Sequence, residues 1–291
     1  MSRAMVIVDA QIHLWKNPGA PPVHGERFTY PEALARMDEA GVDIAIDCPP
    51  VWDEASLAYA VEAHCAHPGR FLVHGWVDLL EADARERLHA CAALPGVIGM
   101  RFITASPKAP PGESSTMSRI RWPDDGSLDW FWRAMADSGL PLAICGGALL
   151  AHVQEAASRY PDLKITIDHF GAAAMGPGLV QFAGLFDLAR LPNVAVKLTG
   201  GPGYFNEAYP VPSLSNEVRR LYEAFGPERL FWGTDITRMK LSWKECIRVY
   251  TEHMPWLAPA DLALIMGGAF LKWHGIAVRT CQGLGVGKTS G

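Results

Sequence analysis

The chain has 291 residues, 49% of them hydrophobic and 20% charged, and a formal net charge of −5. That balance fits one large α/β domain or two small ones, and the acidic charge without a basic cluster argues against a nucleic-acid or anionic-membrane surface. No apolar stretch approaches the roughly 20 residues of a membrane span, and a first strand starting within about five residues leaves no room for a signal peptide. Six scattered cysteines with no CxxC pair read as reduced, packed thiols of a cytoplasmic protein.

Short β-type runs alternate with longer helical patterns along the chain. The first run, residues 6–13, ends in alternating residues, so Asp9, Gln11 and His13 are expected on one face of a strand. Further strands are predicted at 44–48, 71–77, 97–103, 141–145, 164–169, 194–199 and 230–235. Helices are predicted at 31–40, 53–67, 81–93, 127–138, 148–160, 179–191, 213–225 and 242–253, with Ser127 and Ser213 as N-caps and Gly41 and Gly139 as stop signals. A last helix is expected within 257–275, and 279–291, rich in Gly, Ser and Thr, reads as a frayed tail.

Eight such units predict a (β/α)8 barrel of the TIM type, one domain over 1–278, with a parallel sheet and right-handed crossovers. No dinucleotide-binding glycine fingerprint follows the first strand, which argues against a Rossmann fold. Two insertions, 16–29 and 104–126, follow strand C-termini, where barrel sites are built, and read as lids over a pocket.

The predicted strand ends carry the chemistry. In order they give Gln11 and His13; Asp47 and Cys48; His74, Trp76 and Asp78; Arg101; Cys145; Asp168 and His169; Lys197 and Thr199; and Asp235. Singly, each has a structural reading. Asp235 could cap the next helix, and Asp168-His169 could be a hydrogen-bonded strand end. Arg101 could be an ion-pair partner, Cys145 a packed small residue, and Lys197 could snorkel to the rim. On one barrel rim, imidazoles, a carboxylate and an arginine would instead face a common cavity, which is a catalytic layout.

Several short stretches in this order and spacing resemble the amidohydrolase superfamily, in its branch of small barrel lactone hydrolases. They are Asp9-Ala-Gln-Ile-His-Leu-Trp15, Gly96-Val-Ile-Gly-Met-Arg101, Thr166-Ile-Asp-His-Phe-Gly171, Val196-Lys-Leu-Thr-Gly200, Trp232-Gly-Thr-Asp235 and Ile265-Met-Gly-Gly-Ala269. The resemblance implies a barrel hydrolase with His13, His169 and Asp235 at its active centre. Two departures stand out: Gln11 replaces the first histidine of the family's His-x-His motif, and Cys145-Gly146 stands where metal-binding members carry a histidine.

A firm divalent site wants about three or four good ligands, so no cofactor is expected to be required. The alternative is one Zn or Mn ion on His13, His169 and Asp235. The expected reaction is hydrolysis of a small lactone, or a related cyclic ester or amide, bearing a carboxylate. Asp235 would act as general base, with His13, His169 and Gln11 as oxyanion donors. Arg101 would take the substrate carboxylate, and Trp15, Trp52 and Tyr204 would cover the ring. The partner is then a small molecule, with a homo-oligomer as an open option. The rival readings are a metal-dependent decarboxylase of a small aromatic or unsaturated acid and a degenerate small-molecule-binding barrel.

Overall fold

The computed structural model describes residues 5–21, 24–79, 81–103, 126–146, 149–172 and 178–277. Eight strands form one sheet in sequence order: β1 (Val8–Ile12), β2 (Ile44–Asp47), β3 (Phe71–Gly75), β4 (Val97–Ile103), β5 (Leu142–Cys145), β6 (Ile165–Ile167), β7 (Val194–Thr199) and β8 (Leu230–Gly233). Each neighbouring pair from β1–β2 to β7–β8 is parallel. Helices α1 (Tyr30–Ala40), α2 (Ser56–Ala66), α3 (Ala84–Ala92), α4 (Asp129–Ser138), α5 (Leu150–Arg159), α6 (Pro212–Phe225) and α7 (Trp243–His253) alternate with the strands. The arrangement is a nearly closed (β/α)8 barrel. Strands buried on both faces account for the near-continuous apolar runs in the sequence.

The seam between β8 and β1 is closed largely by a side chain. The Asp9 carboxylate, fully buried, accepts from Thr234 N (2.9 Å), Thr234 Oγ1 (2.5 Å), Trp243 Nε1 (2.7 Å) and Gln11 N (3.1 Å). Asp235 N adds a backbone bond to Gln11 O at 3.0 Å. One residue thus ties β1 to β8 and to α7 behind them.

β1 departs from the expected alternation. Asp9 pairs with Ala45 but Ile12 pairs with Asp47, so β1 carries one extra residue there. Such a bulge breaks the period of two and re-aims side chains. Val8 and Ala10 pack into the lumen, Asp9 turns to the seam, and Gln11 points inward to the site. Asp9, Gln11 and His13 therefore do not share one face.

The lumen holds Val8, Ala10, Ile46, Ala195 and Phe231, with Phe270, Leu271 and Trp273 from the C-terminal segment as a floor. That segment is α8 (Pro259–Ala263), a π-turn at Leu264–Gly268 and α9 (Ala269–Trp273). It passes so close to β1 that a Cβ on Gly267 would lie 2.6 Å from Val6 O and 3.0 Å from Val8 N. Truncating a buried aromatic such as Phe270 would cost about 3–5 kcal/mol.

Three local expectations change. The stretch 179–191 is not an α-helix; within it only Phe186–Arg190 forms a 3-10 turn. Gly184 takes a left-handed conformation (φ 86), and Phe182 N bonds Gly171 O, which holds Gln181 in an antiparallel bridge to Ala172. Neither Ser127 nor Ser213 is an N-cap: Leu128 and Val211 occupy those positions. Ser242 does cap α7, accepting from Glu245 N while Ser242 N donates to the Glu245 carboxylate. Gly41 and Gly139 end α1 and α4 in left-handed turns, as expected.

Five cysteines, Cys48, Cys65, Cys91, Cys145 and Cys246, are free, and all but Cys65 are buried. Among the described residues no helix is long and apolar enough to cross a membrane. The 104–126 insertion and the 279–291 tail lie outside the described residues, save Gly126. The 16–29 insertion is anchored by paired backbone bonds between Trp15 and Phe28.

Candidate active site

The strand ends bring Gln11, His13, Arg101, Cys145, Asp168, His169, Lys197 and Asp235 into one buried cluster. Each is at most 9% exposed. Two of them stand on strained backbone: His169 (φ 55) and Asp235 (φ 53) adopt the left-handed conformation that non-glycine residues rarely take. Such strain persists only where the surroundings over-determine it, and it concentrates at functional sites.

Asp235 is the hub. Its Oδ2 accepts from Arg238 NH1 at 3.1 Å, and its Oδ1 lies 3.4 Å from His13 Nε2. Burial opposes the charge, but His13, Arg238, His169 and His24, the imidazoles being protonated in the acid range where the carboxyl titrates, outweigh it and bring the carboxyl down to about 2. His13 Nδ1 sits against the Cys48 carbonyl at 2.5 Å. A carbonyl only accepts, so the imidazole proton is assigned to Nδ1 and Nε2 carries a lone pair. Burial lowers the His13 pKa, so the ring is neutral at pH 7. Asp235 Oδ1 has no hydrogen-bond partner among the described residues. Two bare proton acceptors thus face each other in a buried site.

A buried ion cluster lies beside this pair. Asp168 takes Arg101 Nε at 2.7 Å and has Lys197 Nζ at 3.1 Å, the latter a charge contact rather than an aligned hydrogen bond. Burial opposes its charge too, yet the Lys197 and Arg101 charges hold the Asp168 carboxyl far below its usual range. Lys197 is fully buried and does not snorkel to the rim. Its Nζ also faces Gln11 Oε1 at 3.5 Å, and Gln11 Nε2 lies 3.1 Å from His169 Nε2. His169 Nδ1 meets Thr199 Oγ1 at 3.0 Å and Thr199 O at 3.4 Å. Burial brings His169 down to about 4.

These bonds correct the expected oxyanion donors. The N–H of neutral His13 is spent on Cys48 O, and that of His169 on Thr199. What remains is the second N–H of the Gln11 amide and the far edge of the Arg101 guanidinium. Among the described residues the latter bonds only Asp168, and only through Nε.

The aromatic residues divide. Trp52 is half-buried and packs on His24 (centroids 4.7 Å) and His13 (5.9 Å). Trp15 is fully buried behind it, with Nε1 on Glu26 O. Tyr204 is buried against Phe170 and beside Gly200. His74 is not at the rim: it sits in the lumen with Nε2 3.1 Å from His274 Nε2.

Two functional neighbours were missed from sequence. Arg238 follows Asp235 by three residues in a turn, a spacing that was readable. His24 belongs to the 16–29 insertion and packs over His13, with Nδ1 2.8 Å from Thr237 Oγ1; no local pattern marked it.

Among the described residues, the expected metal donors His13, His169 and Asp235 do not form a complete set. His13 and Asp235 supply two donors, but the His169 Nε2 lone pair is taken by the Gln11 amide. Cys145, Asp168 and His169 do bring ligand atoms within 4.8 Å of one another. There, however, Asp168 is already neutralised by two cations. Three cations, Arg101, Lys197 and Arg238, already face two carboxylates here.

Fold and site together place a cluster of titratable side chains at the C-terminal ends of barrel strands, where barrel active sites are built. The chain belongs to the amidohydrolase family, whose model, described as Amidohydrolase, matches residues 8–268. It is 31% identical over 169 residues to an L-fucono-1,5-lactonase of Burkholderia ambifaria, across 56% of this chain and 54% of that protein. It is 29% identical over 196 residues to a 4-sulfomuconolactone hydrolase of Hydrogenophaga intermedia, across 59% and 58%. The chain thus spans little more than half the length of these two relatives. Its fold matches that of an amidohydrolase from Burkholderia multivorans with bound zinc, at TM-score 0.70 and 19% identity, over 94% of this chain and 100% of the other.

Proposed function

We propose that the protein hydrolyses a small lactone, or a related cyclic ester or amide, that carries an acidic group, and that it does so without a required metal. The observation that carries this reading is the facing pair of bare acceptors, Asp235 Oδ1 and His13 Nε2, 3.4 Å apart and buried. A water donating one proton to each would turn its oxygen lone pairs outward, towards an acyl carbon. Asp235 takes the proton as general base, and His13 Nε2 stands beside it to share the proton. The Arg238 contact keeps Asp235 ionised throughout the neutral range.

As the water attacks, negative charge grows on the acyl oxygen. The free Gln11 N–H and the positive field of Arg101 and Lys197 stabilise it. A preorganised donor of this kind is worth about 100- to 1,000-fold in rate. Arg101 keeps an edge for a carboxylate or sulfonate while Asp168 fixes its orientation through Nε. Trp52 supplies a flat apolar wall beside His13. The lactone-hydrolysing relatives support the substrate class.

A panel of five- and six-membered lactones, with and without a carboxylate, followed by a pH indicator, tests the reading. Acid release from at least one acidic lactone is expected. Failure to open any member would overturn it.

A further inference from the structure

We infer that Lys197 is a positioning residue for this reaction: through the Gln11 amide it locks His169 into a single tautomer. The inference rests on the proposed hydrolysis only for its part in turnover; the lock itself is independent of the substrate.

Two lines of partner chemistry meet at His169. From one side, the Lys197 ammonium can only donate, so the amide face 3.5 Å from Nζ is the Gln11 oxygen. The Gln11 NH2 is then turned towards His169 Nε2 at 3.1 Å. An NH2 group also only donates, so Nε2 must carry a lone pair and the proton must be on Nδ1. From the other side, Nδ1 lies 3.4 Å from the Thr199 carbonyl, which only accepts. The Gln11 end demands Nδ1–H; the carbonyl at 3.4 Å only favours it, because the closer Thr199 hydroxyl at 3.0 Å can serve either tautomer.

Without Lys197 neither end is decisive. The two flips of a glutamine amide have nearly the same shape. The Thr199 hydroxyl, 3.0 Å from Nδ1 and accepting His169 N at 3.3 Å, can accept from Nδ1–H or donate to a bare Nδ1. Both tautomers would then be tolerated. The ammonium breaks this symmetry, and Asp168, fixed by Arg101, anchors the ammonium. Burying an amine completely is costly, and this supplies a reason for it. The chemical consequence is that the remaining Gln11 N–H has one fixed direction.

The test uses the full chain labelled with 15N-histidine, without substrate, read by long-range 1H–15N correlation of the imidazoles at pH 7.5. His169 is assigned by its loss in His169→Gln. In the parent, His169 should show a protonated Nδ1 and a bare Nε2. In Lys197→Met it should show both tautomers or shift to Nε2–H. In Gln11→Glu, whose carboxylate accepts from both neighbours and keeps Lys197 paired, it should move to Nε2–H or to the doubly protonated ring. An Nε2–H ring in the parent overturns the inference. So does an unchanged Nδ1–H ring in Gln11→Glu or in folded Lys197→Met. If Lys197→Met does not fold, Gln11→Glu and the parent spectrum decide. Loss of about tenfold or more in kcat with KM little changed should accompany the tautomer change. An inactive parent with the expected spectra would sink the hydrolysis and spare the lock.

Discussion

Replacing Asp235 by Asn separates chemistry from scaffolding. The carboxamide can turn its oxygen to Arg238 NH1, now 3.1 Å from Oδ2, and its NH2 to the bare His13 Nε2, now 3.4 Å from Oδ1. Both neighbours then keep a partner, so the polar cost is below about 1 kcal/mol. Asn is also among the residues that best tolerate the left-handed backbone held at Asp235 (φ 53). The fold should therefore survive. The base does not: the amide NH2 cannot accept a proton and now blocks His13 Nε2 as well. Loss of a positioned general base costs about 100- to 10,000-fold. Acid release from the best lactone, followed by pH indicator beside a thermal melt, reads both effects. Turnover within about tenfold of the parent, with the melt unchanged, would refute the assignment of Asp235.

The seam makes a stability prediction: Asp9→Ala leaves four buried donors unpaired and should lower unfolding free energy by about 3–5 kcal/mol in urea titrations, a drop under 1 kcal/mol counting against it. Acid should destabilise the fold. His24 and His169 are brought down from 6.5 to about 4, so their contribution is complete above pH 6.5 and drains as pH falls towards 4, on the order of 3 kcal/mol for buried His169. Asp9, raised to about 6 by burial, works the other way, its contribution fading as pH rises through 6, and offsets part of the loss. Urea midpoints that stay flat or rise from pH 7 to 4 would contradict this. Dialysis against a chelator should leave turnover intact, with no stoichiometric metal by elemental analysis; a bound ion whose removal abolishes activity would overturn the metal-free mechanism. Trp52→Ala should raise KM about tenfold with kcat nearly held, since it removes a wall and no proton carrier.

Much of the barrel was legible because parallel strands buried on both faces write themselves as apolar runs, and each run ends where a helix must begin. The rim residues could be read from those ends: Arg101, His169 and Asp235 do meet. What failed was anything set by an extra residue or a distant partner. Alternation put Asp9 with Gln11 and His13, and only the pairing register reveals the bulge that separates them. Arg101 and Lys197 read as rim groups because charge in a strand suggests an exit to solvent, whereas Asp168 keeps both inside. The roles of His13 and His169 as donors or acceptors depended on Cys48 O and Thr199 O, main-chain atoms to which sequence is blind. The 179–191 stretch looked helical by composition; the left-handed turn at Gly184 and the Gly171 contact decided otherwise.

The floor of the barrel bears on the order of synthesis. Phe270, Leu271 and Trp273, which seal the lumen beneath Val8, Ala10 and Phe231, emerge from the ribosome after all eight strands. Until that segment is made, Val8, Ala10 and Phe231 lack the side chains that cover them in the folded protein. A chain stopped before Ala269 would leave these lumen side chains uncovered and open to aggregation.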